Sequence, residues 1–215
     1  MRTETAVSWV FDTVSPFAYL AFRELRRLPS AVRLEYVPVL LAGLLGHFGQ
    51  LGPAEIPSKR RFTYRFVVWQ ARRLSLPLRM PPAHPFNSLA AQRLIIAAGS
   101  TEHAVAAVLD AVFRDGRDVG NSAVIAELAR QLGVSDPSGT LAEPGVKQRL
   151  RENTEWAAAR GVFGVPTLVV GNEFFWGRDA IDMALEYLAD PGAFHDAQMQ
   201  AIETLPIGAQ RRRDK

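Results

Sequence analysis

The feature that most restricts the fold is a strand–helix–strand pattern in the N-terminal part of the chain. Residues 7–11 are a short apolar run typical of a buried strand, and residues 32–41 begin with the alternation of a second strand. Between them, Ser15 and Pro16 precede apolar residues at helical spacing, and both residue types favour a helix start. Because such a unit joins parallel strands, we predict a parallel strand pair here.

The rest of the chain is predicted to be helical in the middle, with strands returning near the C-terminal end. Helical patterns cover five segments, residues 59–74, 88–98, 101–113, 123–132 and 146–159. The Gly- and Pro-rich residues 42–57 before them are expected to form an irregular loop. Residues 166–170 and 173–176 flank the turn pair Gly171-Asn172 and predict a β-hairpin, which a last helix follows at residues 180–188.

This order of elements predicts an α/β fold that is split by an all-helical insertion. Residues 1–45 and 146–215 are expected to form the α/β domain, and residues 46–145 the helical insertion domain. A chain of 215 residues with 48% hydrophobic residues is long and apolar enough to bury a large core, which excludes a disordered protein.

The absence of cysteine excludes several kinds of chemistry. The 215 residues include no cysteine, so the protein's own side chains provide no disulfide, no thiolate zinc ligand and no thiol nucleophile. Any thiol chemistry requires a thiol from outside. The four histidines, His47, His84, His103 and His195, are not at metal-ligand spacing, and we therefore expect no metal site.

Charge and hydropathy predict neither a nucleic-acid partner nor a membrane partner. The net charge is only +3, and Arg211, Arg212 and Arg213 near the end of the chain are expected to be a solvated tail. The basic residues form no concentrated stripe with interleaved aromatic residues, which nucleic-acid binding favours. No run of 18 apolar residues and no signal peptide are found, so a cytoplasmic protein is expected.

Three short segments carry the candidate chemistry. Ser15 either only caps the first helix, or it also donates its hydroxyl to an anion at the positive end of that helix. The Val165-Pro166 bond is either trans, as most such bonds are, or cis, which would turn the backbone of Val165 towards an extended, peptide-like ligand. We predict the cis form. Asp179, just after the second hairpin strand, either caps a helix or binds an ammonium group.

These segments together resemble a known family, the 2-hydroxychromene-2-carboxylate isomerases, which are related to kappa-class glutathione transferases. The motifs that carry the resemblance are Phe11-Asp12-x-x-Ser15-Pro16-x-Ala18-Tyr19-Leu20, Gly164-Val165-Pro166-Thr167 and Phe175-Trp176-Gly177-Arg178-Asp179-x-Ile181-Asp182-Met183. The resemblance spans about residues 7–188. It implies a thioredoxin-like fold with a helical insertion, in which Ser15 stands where thioredoxin-like relatives carry a cysteine pair.

The resemblance also implies glutathione as cofactor. Ser15 would stabilise the glutathione thiolate and is the residue to which a catalytic role is assigned. Val165 and Pro166 would pair with the cysteinyl unit, and Arg178 and Asp179 would hold the γ-glutamyl end.

A further set of residues is expected around the substrate. Gln50 stands where the family usually has Asn, and it keeps a cofactor-binding amide that is one methylene longer. Phe48 is expected to form a wall of the substrate pocket, Lys59 to provide a cation for a carboxylate, and His84 to line the pocket.

The reaction implied by the resemblance is the isomerisation of 2-hydroxychromene-2-carboxylate, an aromatic ring-cleavage product, to trans-o-hydroxybenzylidenepyruvate. The thiolate would add reversibly to the conjugated carbon, and rotation about the resulting single bond would precede elimination. The partners implied are a small aromatic carboxylate and a second copy in a homodimer. Two alternatives remain: a kappa-like glutathione transferase that conjugates electrophiles, and a binding protein of thioredoxin fold without cysteines.

Overall fold

The structure is a computed structural model, and it describes residues 5–209. Four strands form one mixed sheet in the order β2-β1-β3-β4: β1 (Thr5–Phe11), β2 (Val32–Pro38), β3 (Thr167–Val170) and β4 (Glu173–Trp176). Strand β2 is parallel to β1, whereas β3 is antiparallel to both β1 and β4. The predicted parallel pair and the predicted hairpin are therefore confirmed. The tail residues Arg211, Arg212 and Arg213 lie outside the described residues.

Ten α-helices surround the sheet within residues 5–209. They are α1 (Pro16–Phe22), α2 (Leu41–Phe48), α3 (Pro57–Arg73), α4 (Leu89–Ala97), α5 (Glu102–Phe113), α6 (Ser122–Gln131), α7 (Pro137–Ala142), α8 (Pro144–Ala159), α9 (Ile181–Ala189) and α10 (Ala197–Glu203). Each helix predicted from the sequence is present, with its ends shifted by a few residues. None of the ten is long and apolar enough to cross a membrane.

Two expectations about loops and helices are wrong. Residues 42–57 are not an irregular loop throughout, because α2 occupies the first half of this segment. Its glycines lower helix propensity, but Gly43 lies so close to α8 that an added Cβ would be 2.9 Å from Thr154 Cγ2. Burial of Leu44 in the same interface stabilises the helix. The helix predicted at residues 180–188 is also not the last one, since α10 follows it.

The core joins the sheet to the helical segment. On one face of the sheet, Trp9 of β1 belongs to the same buried cluster as Leu20 of α1, Leu94 of α4 and Leu109 of α5. On the other face, Val10 packs in a second cluster formed with α2 and α8. Successive strand residues point to opposite faces, so β1 contributes to both clusters. The division into residues 1–45 and 146–215 against 46–145 stays a prediction.

A buried glutamine fixes the edge of the sheet at which the candidate site lies. Gln92 of α4 has no exposed surface, and its Nε2 donates to the carbonyl oxygens of Phe11 (2.9 Å) and Val39 (2.7 Å). Its Oε1 accepts from the backbone N–H of Thr13 at 3.3 Å. One side chain of the helical segment therefore holds the ends of β1 and β2 and the turn that leads to Ser15.

Candidate active site

A cavity of about 850 Å³ opens where the β1–α1 turn meets α2, α3 and the segment before β3. Its walls are mainly apolar, and the larger side chains among them include Leu41, Leu45, Leu51, Phe86, Phe163 and Trp176. Five of the site residues predicted from the sequence line this cavity: Ser15, Gln50, Lys59, His84 and Val165. The fold therefore brings together residues that are far apart in the chain.

Ser15 caps α1 and keeps its hydroxyl proton available. The Ser15 side-chain oxygen accepts a hydrogen bond from the backbone N–H of Ala18 at 3.4 Å, and Pro16 stands at the start of the helix as predicted. This bond uses a lone pair of the oxygen and not its proton. Within residues 5–209 the proton has no acceptor. The two roles considered for Ser15 are therefore compatible.

Asp12 lies beneath Ser15 in the same turn and was given no role by the sequence. Its carboxylate is 1% exposed and accepts hydrogen bonds from the backbone N–H groups of Val14 (3.0 Å) and Leu41 (2.8 Å). Burial raises the pKa of this carboxyl above its usual value, and the hydrogen bonds to Leu41 and Val14 oppose that rise. Asp12 therefore joins the turn to α2 and has its acceptor atoms occupied by the protein.

The segment before β3 has the backbone arrangement that was predicted. The Val165-Pro166 peptide bond is cis, and Val165 lines the cavity whereas Pro166 does not. The N–H of Gly177 donates to the Pro166 carbonyl at 2.8 Å, but in the described part of the chain neither the N–H nor the C=O of Val165 has a partner. One residue at the cavity wall therefore offers both a donor and an acceptor to a ligand.

A glycine and a tryptophan shape the wall next to Val165. A Cβ added to Gly164 would stand 2.7 Å from Trp176 Nε1, so only glycine lets the indole lie this close to the backbone. The Trp176 ring packs edge-on against Phe163 at 5.1 Å between ring centres. The tryptophan is 55% exposed and forms part of the rim of the cavity.

Arg178 and Asp179 are close to the site but do not line the cavity. They belong to a short 3₁₀ turn, Arg178–Ala180, that precedes α9. Arg178 Nε donates to Glu24 Oε1 at 2.7 Å, so this guanidinium already has a carboxylate partner. Asp179 accepts from Gln70 Nε2 at 3.2 Å and from Arg178 Nη1 at 3.1 Å, but its side chain is 70% exposed and therefore accessible to a ligand.

Three other predicted residues lie around α2 and α3. Gln50 follows α2, is exposed and lines the cavity, as does Lys59 in the first turn of α3. Lys59 forms no ion pair with any residue that the structure describes, so its charge is available to an anion. Phe48 instead packs against the ring of His47 at the end of α2 and is not among the lining residues.

His84 is held from three sides at the cavity wall. Its Nε2 lies 2.6 Å from the carbonyl oxygen of Val14, and its Nδ1 lies 2.7 Å from the hydroxyl of Tyr64. Arg60 donates to the His84 carbonyl oxygen at 2.9 Å. Burial lowers the pKa of His84, the hydrogen bond to Val14 raises it, and the charge of Arg60 lowers it again. Tyr64 also lines the cavity and was given no role by the sequence.

No group of three or more His, Asp or Glu side chains within residues 5–209 is arranged to hold a metal ion. Lys59, Glu55, Asp12 and His84 are the titratable lining residues besides Tyr64. Glu55 accepts from the backbone N–H of Gly52 at 2.6 Å. The site therefore combines apolar walls, a free hydroxyl proton, a free peptide edge and an unpaired lysine.

Comparisons with known proteins agree with this fold. A family model described as a DSBA-like thioredoxin domain matches residues 6–189. A 2-hydroxychromene-2-carboxylate isomerase from Pseudomonas putida is 30% identical over 186 residues, which cover 82% of this chain and 91% of the relative. Glutathione S-transferase kappa 2 from Caenorhabditis elegans is 24% identical over 213 residues, which cover 89% of this chain and 95% of the relative.

A solved structure of a selenomethionine 2-hydroxychromene-2-carboxylate isomerase superimposes with a TM-score of 0.77 at 26% identity, covering 89% of this chain and 100% of that one. The resemblance seen in the sequence motifs is thus confirmed over the sheet and the helical segment alike. The chain belongs to the DsbA-like thioredoxin-domain family and, within it, to the group of 2-hydroxychromene-2-carboxylate isomerases and kappa-class glutathione transferases.

Proposed function

We propose that this protein is a glutathione-dependent cis/trans isomerase that converts 2-hydroxychromene-2-carboxylate to trans-o-hydroxybenzylidenepyruvate. The observation that carries the proposal is the free proton of Ser15 in one cavity with the unpaired backbone of Val165. A hydroxyl donor stabilises an anion, and a free peptide edge recognises a peptide. Relatives named 2-hydroxychromene-2-carboxylate isomerase and glutathione S-transferase support the same reading.

The residues present fit glutathione, which is a tripeptide with a thiol near its middle. Val165 would pair with its backbone, Ser15 would donate to its sulfur, and Asp179 would receive the γ-glutamyl ammonium. Arg178 is the weaker candidate, because Glu24 already pairs with it. When bound, glutathione supplies the thiolate that adds reversibly to the conjugated carbon of the substrate. The protein's part is to lower the thiol pKa through the Ser15 hydroxyl and to hold the aromatic substrate between apolar walls.

The negative charge of the substrate matches Lys59, the one unpaired cation among the described residues that line the cavity. A 2-hydroxychromene-2-carboxylate carries one carboxylate on an aromatic system. Lys59 would attract the carboxylate, and side chains such as Phe163 and Trp176 would contact the ring. Gln50, which also lines the cavity, would add an amide donor. We propose further that the active form is a homodimer in the cytoplasm, which gel filtration and cell fractionation test.

Incubation with 2-hydroxychromene-2-carboxylate and a small amount of glutathione tests the proposal. An isomerase returns glutathione after each cycle, so we expect many turnovers per glutathione and no loss of free thiol. Stoichiometric consumption of glutathione would instead identify a kappa-like transferase, which uses the same residues. Calorimetry that detects no glutathione binding at millimolar concentration would leave only a cysteine-less binding protein.

A further inference from the structure

We propose that His84 is a positioning residue for thiol chemistry at Ser15, because its Nε2–H group covers the carbonyl oxygen of Val14 and so lets an anionic sulfur lie in the β1–α1 turn. The inference rests on the proposed glutathione dependence. It assigns to His84 a task distinct from contact with the substrate.

The contacts of His84 fix its tautomer. The Val14 carbonyl oxygen can only accept, so the 2.6 Å contact requires a proton on Nε2. In the neutral ring Nδ1 is then an acceptor, and the Tyr64 hydroxyl lies 2.7 Å from it and 2.9 Å from the His84 carbonyl oxygen, so its one proton is shared between these two acceptors. Arg60 donates to the His84 carbonyl oxygen at 2.9 Å and does not compete for the ring.

The ring is also confined by packing. It lies edge-on to the rings of Tyr64 (5.2 Å) and Phe86 (5.9 Å), and it contacts the ring of Phe113 at a centroid distance of 6.3 Å. Tyr64 comes from α3 and Phe113 from the end of α5, so the helical segment sets the position of the donor. His84 is thus a rigid link between that segment and the turn that bears Ser15.

The electrostatic consequence follows from the place of the Val14 carbonyl. Val14 immediately precedes Ser15 and lines the same cavity. An uncovered carbonyl oxygen presents its negative end to the cavity and would repel an anion bound next to the Ser15 hydroxyl. Donation from His84 removes that repulsion without adding a charged group. Two other acceptors of the turn are already covered, Asp12 by two N–H groups and the Ser15 carbonyl by Ala18, whereas the buried Thr13 Oγ1 has no partner among the described residues.

The test compares how His84 variants bind glutathione, which has a thiol, and S-methylglutathione, which has a thioether in its place. His84→Phe keeps an aromatic ring but removes the donor, whereas His84→Gln keeps a donor close to the position of Nε2. We expect His84→Phe to raise the pKa of the bound glutathione thiol, measured by thiolate absorbance against pH, by about one unit. His84→Gln should restore most of that shift. Binding of S-methylglutathione, which has no thiolate, should be the same in all three proteins by calorimetry.

The control is Tyr64→Phe, which removes the hydroxyl from Nδ1 but leaves the Nε2–H donor in place. It should shift the thiol pKa much less than His84→Phe. If His84→Phe does not fold, as judged by circular dichroism, His84→Met removes the donor in its place. An unchanged thiol pKa in the folded variant overturns the inference, as does equal weakening of glutathione and S-methylglutathione. If the wild-type protein binds neither ligand, the proposed function itself fails.

Discussion

Replacing Ser15 by alanine tests whether this residue only caps α1 or also donates a hydrogen bond to a bound thiolate. The substitution removes one hydroxyl whose proton has no acceptor within residues 5–209 and whose oxygen caps α1. Loss of one stabilising donor at a developing or bound anion lowers rates by roughly one to three decades. We therefore expect Ser15→Ala to reduce isomerase turnover by about that factor at saturating glutathione. The pKa of the bound thiol should rise in parallel.

The expected cost to stability is small and follows from the same contacts. The cap bond to Ala18 is 3.4 Å long, near the upper limit for such a bond, and the same N–H lies 3.0 Å from the Ser15 carbonyl oxygen. The free energy of unfolding should therefore fall by about 1 kcal/mol or less, the usual contribution of a serine cap. Urea denaturation measures this value independently of activity.

Thr101 provides the matched control. Its hydroxyl oxygen caps α5 by accepting from Ala104 N–H at 3.2 Å, and it does not line the cavity. Thr101→Ala should cost a similar free energy of unfolding and leave both turnover and thiol pKa unchanged. The reasoning is refuted if Ser15→Ala behaves like Thr101→Ala, since Ser15 would then be a cap and nothing more.

Three further predictions concern the γ-glutamyl end of glutathione, the cavity wall and the effect of pH on stability. Asp179→Asn keeps the side-chain shape but removes its charge, so glutathione affinity should fall about tenfold or more, while cysteinylglycine affinity, measured by the same calorimetry, should not change. Gly164→Ala places a Cβ 2.7 Å from Trp176 Nε1; the indole must move, and we expect a higher KM and a cost of about 1–3 kcal/mol in unfolding free energy. Burial lowers the pKa of His84 from its ordinary 6.5, so the unfolded chain binds the proton more readily. The contribution of neutral His84 to the free energy of unfolding should therefore be complete above pH 6.5 and decrease as the pH falls through that value. Urea titrations of His84→Gln should show a weaker decrease.

Most of the fold was predictable because its elements have strong local signals. The strands β1 to β4 are short β-rich runs, and the helix start at Ser15-Pro16 depends on residue types that act within one turn. The cis bond at Val165-Pro166 was predicted because a proline that opens a strand at the ligand edge exposes the backbone N–H and C=O of the residue before it. Helix α2 was missed because its glycines lower the local propensity, and its stability comes from Leu44 and from close packing on α8.

The site was predictable where a single residue defines the chemistry and not where long-range contacts do. Ser15 and Val165 were found from their motifs. The hydrogen bond between His84 and Val14 joins residues 70 positions apart, and the bond between Gln92 and Phe11 joins residues 81 apart. No local pattern reports such pairs. Phe48 was placed at the pocket from its neighbour Gln50, but the turn of α2 directs it to His47 instead.

The geometry also explains why Ser15 would stabilise a bound thiol and would not act as a nucleophile. Asp12, Ser15 and His84 all line one cavity, and these are the residue types of a hydrolytic triad. A triad requires the histidine to take the serine proton and the carboxylate to orient the histidine. Here His84 Nε2 bonds the Val14 carbonyl, and the Asp12 oxygens accept from backbone N–H groups. No base is therefore directed at the serine proton, which stays available for donation to the thiolate form of a bound thiol.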